Sequence, residues 1–164
     1  MPTSMYTEAE LKAMYHCLRR AMQDYEENAR RLRFKRDPQT SNVLGEFAVK
    51  GNYGIVRVCY KHVADCFQEL CTLSHELGHA RSWLDGLHTT AYHQMLDAKT
   101  PLNTLTDPAM KQFVMEEETR AWRTGWKLVQ FVGMGDKTAY ETEADQALSI
   151  YADEMSLQHV PFVI

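Results

Sequence analysis

The pattern of apolar and polar positions predicts a long helix near the start of the chain, from about Thr7 to Phe34. Apolar residues recur there at helical spacing, and the opposite face is charged. The sequence Thr7-Glu8-Ala9-Glu10 is typical of a capping box at the beginning of a helix. A basic cluster before Asp37-Pro38 is interpreted as the solvated end of this helix, because positive charge there favours the helix dipole. The cluster consists of Arg30, Arg31, Arg33, Lys35 and Arg36.

The same periodicity predicts three further helices. They extend from about Asp65 to Leu84, from Asp107 to about Val132, and from Thr138 to about Gln158. Asp107-Pro108 is a strong helix start, since an acidic cap precedes a proline at the first helical position. Thr138 has a capping-box partner in Glu141, which predicts the start of the last helix.

Two short segments, Val43 to Val49 and Ile55 to Tyr60, are β-prone and flank a turn region at Lys50–Gly54. Residues 86 to 107 have no clear period and are interpreted as an irregular loop, of a length that is usually functional or partly helical. The order is helix, hairpin, helix, loop, helix, helix, which predicts a mostly helical α+β fold. A length of 164 residues fits one domain over residues 1–164.

Composition and charge narrow the classes of function. The net charge of −4 gives no broad basic surface, so a nucleic-acid partner is not expected. The first residues lack the basic and apolar regions of a signal peptide, and no stretch has the length of a membrane span. A cytoplasmic protein without a membrane partner is therefore expected. The cysteines form no CxxC pair and are expected to be buried free thiols: Cys17, Cys59, Cys66 and Cys71.

The sequence His75-Glu76-Leu77-Gly78-His79 lies within the second predicted helix. Histidines four residues apart share one face of a helix, so both imidazoles can reach one metal ion. Zinc suits such a site because it accepts imidazole and carboxylate ligands and keeps one position open for water. Glu76 projects beside the ion, where it can take a proton from the water and return it to a leaving amine. The motif therefore predicts a zinc-dependent hydrolase with Glu76 as its general base.

A zinc site of this type needs a third protein ligand, and the sequence offers two places for it. Asp85 lies six residues after His79, as in metzincin-like enzymes, but Ser82 stands where those enzymes have a glycine that lets the chain turn back. The run Glu116-Glu117-Glu118 lies in the helix that begins after Asp107. Three consecutive acids occupy about 300° of a helix, so at least one should face the core and be paired or ligated. The apolar positions of this helix place Glu117 and Glu118 nearer to the core than Glu116.

This arrangement resembles the gluzincin peptidases, in which a second helix donates a glutamate to the zinc. In that group a small residue commonly follows the glutamate three positions later, and Glu118 with Ala121 fits the pattern. The resemblance implies His75, His79 and Glu118 as zinc ligands. Glu117 is the alternative to Glu118.

The segment from Thr72 to Ala80 also resembles the small cytoplasmic peptidases of the ImmA/IrrE family. The two resemblances imply a zincin-type domain with a small sheet beside the active-site helix, and a zinc metallopeptidase that acts on a peptide or protein. They also imply that substrate adds as a strand to a sheet edge, for which Ile55 to Tyr60 is the candidate.

Several assignments stay open at this stage. Cleavage of an amide needs a hydrogen-bond donor for the developing oxyanion, and several side chains are candidates. A separate open point is Cys71, whose thiolate could compete for zinc. The apolar tail from Val160 to Ile164 is expected to close the core, with a plug in a cleft as the alternative. A non-catalytic or latent regulatory protein with a structural zinc is the alternative function, and a fourth protein ligand would favour it. The oxyanion candidates are His88, Tyr92, His93, Tyr140 and Tyr151.

Overall fold

The computed structural model describes residues 4–24, 31–37, 43–61 and 63–164. Within these ranges the chain forms five α-helices and one three-stranded sheet, which confirms the α+β class with mainly helical structure. In chain order the elements are α1 (Glu8–Asp24), β1 (Leu32–Asp37), β2 (Gly45–Lys50), β3 (Tyr53–Cys59), α2 (Cys66–Leu84), α3 (Thr90–Asp97), a 3₁₀ turn (Leu102–Thr104), α4 (Pro108–Phe131) and α5 (Lys137–Glu154).

The first helix begins as predicted but does not extend to Phe34. The capping box is confirmed, because the Thr7 N–H donates to Glu10 Oε2 at 2.7 Å and the Glu10 N–H donates to Thr7 Oγ1 at 3.2 Å. The chain from Leu32 onwards is strand β1, so the prediction of helix there is wrong. Residues 25–30, which the same prediction covered, lie outside the described ranges.

Strand β1 forms because its side chains alternate rather than repeat at helical spacing. Leu32 is buried and Phe34 is half-buried, whereas Arg33 and Lys35 between them are exposed. The interpretation of the basic cluster as a helix end is therefore wrong for Arg33, Lys35 and Arg36, which belong to β1. Arg36, at the end of the strand, pairs instead with a carboxylate of α2, since its Nε lies 2.6 Å from an oxygen of Glu69.

The hairpin of β2 and β3 is confirmed, but the position of β3 in the sheet differs from the expectation. The sheet order is β1-β3-β2, with β1 parallel and β2 antiparallel to β3. The expectation that Ile55 to Tyr60 offers an unpaired edge is wrong, because β3 is the central strand. Among the described residues the free edges belong to β1 and β2. Gly51, with φ +59°, allows the tight turn between Lys50 and Tyr53.

Helix α2 lies in the middle of the domain, against the sheet, α1 and α4. The Asp65 carboxylate caps it by accepting from the Gln68 N–H at 2.8 Å. Its closest neighbour is α4, and the two backbones nearly touch where Gly78 meets the carbonyl of Ala121. A Cβ on Gly78 would collide with that carbonyl group. Gly125 makes a similar approach, since a Cβ there would lie 3.0 Å from the Ser74 carbonyl oxygen.

Of two predictions after α2, the partly helical alternative for segment 86–107 is confirmed, and the bounds of the last helix are wrong. The segment 86–107 is partly helical, because Thr89 caps α3 by accepting from the Tyr92 N–H at 3.1 Å. The last helix begins earlier than predicted, with Asp136 as its cap in place of Thr138, and it ends at Glu154 rather than near 158. The Asp136 carboxylate accepts a hydrogen bond from the Ala139 N–H, so this helix end does not need Thr138 as its cap.

The C-terminal tail closes the core, as expected. Phe162 is buried in the main cluster, and its N–H donates to Asp145 Oδ1 at 2.8 Å. The Ile164 N–H donates to Glu141 at 2.9 Å, which fixes the end of the tail on α5. Among the described helices, none combines the length and the apolar character that crossing a membrane requires.

Candidate metal centre

The predicted histidine pair lies on the buried face of α2. His75 and His79 expose 7% and 6% of their surfaces, and their Nε2 atoms are 3.2 Å apart. The one-turn spacing puts one imidazole above the other, as the motif predicts. Two aromatic nitrogens therefore converge on one point inside the protein.

Glu118 approaches this point from α4. Its Oε2 lies 3.0 Å from His75 Nε2, and its Oε1 lies 3.3 Å from His79 Nε2. A tetrahedral zinc with bonds near 2.05 Å has ligand atoms about 3.3 Å apart, which matches this triangle. His75, His79 and Glu118 could thus hold a metal ion, and the crossing of Gly78 with Ala121 sets the distance between their helices.

The donor atoms of the triangle are better suited to be ligands of a cation than members of an ordinary ion-pair cluster. Glu118 Oε2 is buried and lies 3.0 Å from His75 Nε2, but it accepts no hydrogen bond from a described residue, which is costly for a buried carboxylate oxygen. Burial alone would raise the pKa of Glu118, but the imidazoles of His79 and His75 outweigh it and hold that pKa far below its usual range. The carboxylate is therefore ionised and directed at the point where a cation would lie.

Glu117 has a different position from Glu118, although the two are adjacent in sequence. Its Oε1 accepts from His79 Nδ1 at 3.0 Å and from His88 Nε2 at 2.8 Å, and its other oxygen accepts from Arg120. Burial opposes ionisation of Glu117, but the hydrogen bonds from His79 and His88 lower its pKa to about 2.

A carboxylate on Nδ1 fixes the orientation of the His79 ring and directs Nε2 toward the metal position. Glu117 is therefore placed to support His79 rather than to replace Glu118. His79, His88 and Glu117 form a second group that could hold an ion. The two groups share the ring of His79.

Glu76 lies beside the triangle, as the motif predicts. It is 6% exposed, and burial raises the pKa of its carboxyl group. Glu76 makes no hydrogen bond to any described residue, so its carboxylate is available for proton transfer. Gly45 at the start of β2 leaves room for it, since a Cβ there would lie 3.0 Å from Glu76 Cγ.

The alternative assignment of Asp85 as the third zinc ligand is wrong. The helix continues past Ser82 to Leu84, and Asp85 follows as an exposed C-cap that pairs with Arg81 at 3.1 Å. Cys71 belongs to neither group that could hold an ion. It is a buried free thiol, as expected, whereas Cys17 is exposed and Cys66 is half-buried, so burial is not common to all the cysteines.

The contacts of the oxyanion candidates show which of them are available as hydrogen-bond donors. Tyr140 is a structural residue, because its buried hydroxyl donates to the Trp122 carbonyl at 2.7 Å. The hydroxyls of Tyr92 and Tyr151 make no hydrogen bond among the described residues. Burial and the charge of Glu118 raise the pKa of Tyr92, and the charge of Glu118 and burial raise that of Tyr151. His88 is committed to Glu117, and its Nδ1 lies 3.1 Å from His93 Nε2. Tyr92 and Tyr151 therefore remain as free donors near the centre.

Trp122 contributes to the centre although sequence reasoning did not assign it there. Its ring stacks on His75 with centroids 4.5 Å apart and an interplanar angle of 27°. The signal was present in the sequence, because Trp122 follows Glu118 by four residues and shares its helix face.

Comparison with protein-family models, with curated proteins and with solved structures gives no match. The strongest constraints on function are the three converging donors and the unbonded Glu76 next to them.

Proposed function

We propose that the protein is a zinc-dependent peptidase of the gluzincin type, with His75, His79 and Glu118 as zinc ligands. The observation that carries this proposal is the triangle of buried donors, with edges of 3.0 to 3.3 Å, next to a carboxylate that has no other partner. A structural zinc is usually closed by four protein ligands, whereas the group around His75 contains three among the residues that the structure describes.

Zinc fits this donor set better than calcium or magnesium. Two imidazole nitrogens and one carboxylate are typical of catalytic zinc, whereas the harder cations prefer a shell of oxygen ligands.

When bound, zinc would supply a Lewis acid that lowers the pKa of its water and polarises the scissile carbonyl group. Glu76 would take the proton from that water and deliver it to the leaving amine. Its raised pKa suits both steps, because a carboxylate of higher pKa accepts a proton more readily than an ordinary one and can still return it. Glu117 keeps His79 in the required tautomer, and Tyr92 or Tyr151 donates to the developing oxyanion.

A cleft of about 700 Å³ beside β2 suits an extended peptide. Its walls include Phe47 and Val49 of β2 and His93 and Leu96 of α3. Because β2 is an edge strand, its backbone can pair with a peptide strand while the cleft receives side chains. This edge takes the role that the sequence suggested for Ile55 to Tyr60.

Removal of the metal tests the function. The purified protein should cleave a mixture of unstructured peptides, as measured by mass spectrometry, and dipicolinate should reduce cleavage to background. One equivalent of zinc should restore the original rate, since the apo protein keeps its ligands in place. Undiminished cleavage after verified zinc removal, or no cleavage by the fully zinc-loaded protein, would contradict the proposal.

Zinc binding should also depend on pH through His79. Burial opposes protonation of His79, but the carboxylates of Glu118 and Glu117 outweigh it and raise its pKa well above the usual value. The metal-free protein therefore holds a proton there above pH 6.5, and zinc must displace it. Zinc affinity should rise by about tenfold per pH unit until that raised pKa is reached.

Calorimetric titration with zinc at pH 7 measures this coupling. Buffers with different ionisation enthalpies should give different apparent enthalpies, with a difference that corresponds to about one proton released per zinc. Equal apparent enthalpies in all buffers would show that His79 is neutral before zinc binds.

A further inference from the structure

A second cavity, here called the tail cavity, lies on the face of α4 between this helix and the C-terminal tail. Its volume is about 640 Å³, which is in the range of small-molecule sites. Its apolar walls come from three parts of the fold, and a few polar side chains of α4 complete them. The apolar residues include Met115, Leu148, Leu157, Val160 and Phe162.

Two arginines on one turn of α4 give this cavity its chemistry. Arg123 donates one N–H to the Val163 carbonyl at 3.0 Å and lies over the ring of Phe162, with 5.2 Å to the centroid. Arg120 donates from Nη1 to Glu117. A guanidinium has five N–H donors in a planar fork, so both arginines retain donors for a ligand.

The other charged residue of the cavity wall is Glu116, which accepts from Gln112 Nε2 at 2.7 Å. It precedes Arg120 by four residues and Arg123 by seven, which places it about 6 Å and about 10 Å from them along the helix axis. The cavity is therefore basic toward Arg123 and mainly apolar in its other walls, with its acidic group one turn before Arg120.

We propose that the tail cavity binds an amphiphilic monocarboxylate, with its carboxylate on Arg123 and Arg120 and its apolar chain against Leu157 and Phe162. Charge complementarity selects the anion, because a planar carboxylate matches the fork of a guanidinium. The mainly apolar walls select a hydrocarbon chain over a small polar anion such as acetate.

The site is connected to the metal centre through a short polar path. Arg120 lines the cavity and holds Glu117, and Glu117 holds the ring of His79. A carboxylate bound at Arg120 offsets a positive charge that would otherwise repel a dication at the centre. Zinc should therefore bind more tightly to protein that holds the monocarboxylate. The monocarboxylate should bind more tightly to zinc-loaded protein, by the same factor.

Decanoate, below its critical micelle concentration, is the probe for this site. Calorimetry on the metal-free protein should detect one binding event, and 1-decanol should bind at least about tenfold more weakly since it lacks the charge-assisted hydrogen bonds. Arg123→Gln should weaken decanoate binding by about tenfold. Lys127→Gln, an exposed cation one turn further along α4 and outside the cavity wall, is the matched control and should leave it unchanged.

A second variant protects the test from effects on folding. Val160 is 76% exposed and lines the cavity, so Val160→Asp should preserve the fold and weaken decanoate binding by repulsion. Equal binding of decanoate and 1-decanol, or decanoate binding that neither variant weakens, would overturn the proposal.

The coupling to zinc rests on the proposed function and is measured separately. The dissociation constant of decanoate should fall by about threefold or more when the protein is loaded with one zinc at low salt. An unchanged constant in a protein with verified zinc would overturn the coupling. If zinc does not bind at all, the proposed function fails. Decanoate binding to the metal-free protein still tests whether the tail cavity is a binding site.

Discussion

Replacing Glu76 with glutamine is expected to abolish peptide cleavage while zinc binding stays intact. Glutamine keeps the size of the side chain but cannot accept the proton of the attacking water. Loss of a general base of this kind lowers the rate by about 10² to 10⁴-fold. Zinc should remain because Glu76 does not belong to the group that could hold the ion. The measurement is the cleavage rate of one identified peptide, with zinc content determined on the same samples.

Glu116→Gln is the matched control for this experiment. It makes the same chemical change on α4, at an exposed carboxylate that contacts Gln112 instead of the centre. It should cleave at the rate of the unmodified protein. Equal cleavage by Glu76→Gln and the control would exclude Glu76 as the general base. Loss of zinc from Glu76→Gln would show that Glu76 helps to hold the metal.

Removing the carboxylate of Glu118 should have the largest effect on metal affinity. Glu118→Ala leaves two imidazoles and removes the only anionic member of the triangle around His75. Zinc affinity should fall by more than about 100-fold, since outer partners of a ligand alone are worth roughly 10 to 100-fold. Competition with a chromophoric chelator measures this difference, and far-UV circular dichroism verifies that the variant is folded.

The neighbouring acids make this prediction specific. Glu116→Ala, on the exposed face, should leave zinc affinity unchanged, because its side chain does not reach either group of possible ligands. If Glu118→Ala keeps the affinity of the unmodified protein, the third ligand is wrongly assigned. The group of His79, His88 and Glu117 would then be the one to test next.

The helices around the centre could be predicted from sequence because their signals are local. A cap, an apolar period and a stop signal define α4, and the structure begins it at Pro108 as the Asp107-Pro108 pair predicts. Strand β1 could not be predicted in this way, because its arginines suit the end of a helix equally well. Its partner β3 lies about twenty residues further along the chain, so only the tertiary fold decides between the two.

The site shows the same division between local and non-local information. The spacing of His75 and His79 is set by the helix repeat, so sequence alone places both rings on one point. The difference between Glu117 and Glu118 cannot be read in this way, since both are buried and consecutive positions are about 100° apart. It depends on the angle at which α4 crosses α2 at Gly78, which no local pattern determines.

X-ray absorption at the zinc edge of the purified, zinc-loaded protein tests the central claim most directly. We predict one zinc per chain with two imidazole nitrogens and carboxylate and water oxygens, all at about 2.0 to 2.2 Å. The Glu118→Ala spectrum should differ from it by the loss of one oxygen ligand. A sulfur ligand at about 2.3 Å, or a shell without imidazole, would contradict a centre built from His75, His79 and Glu118.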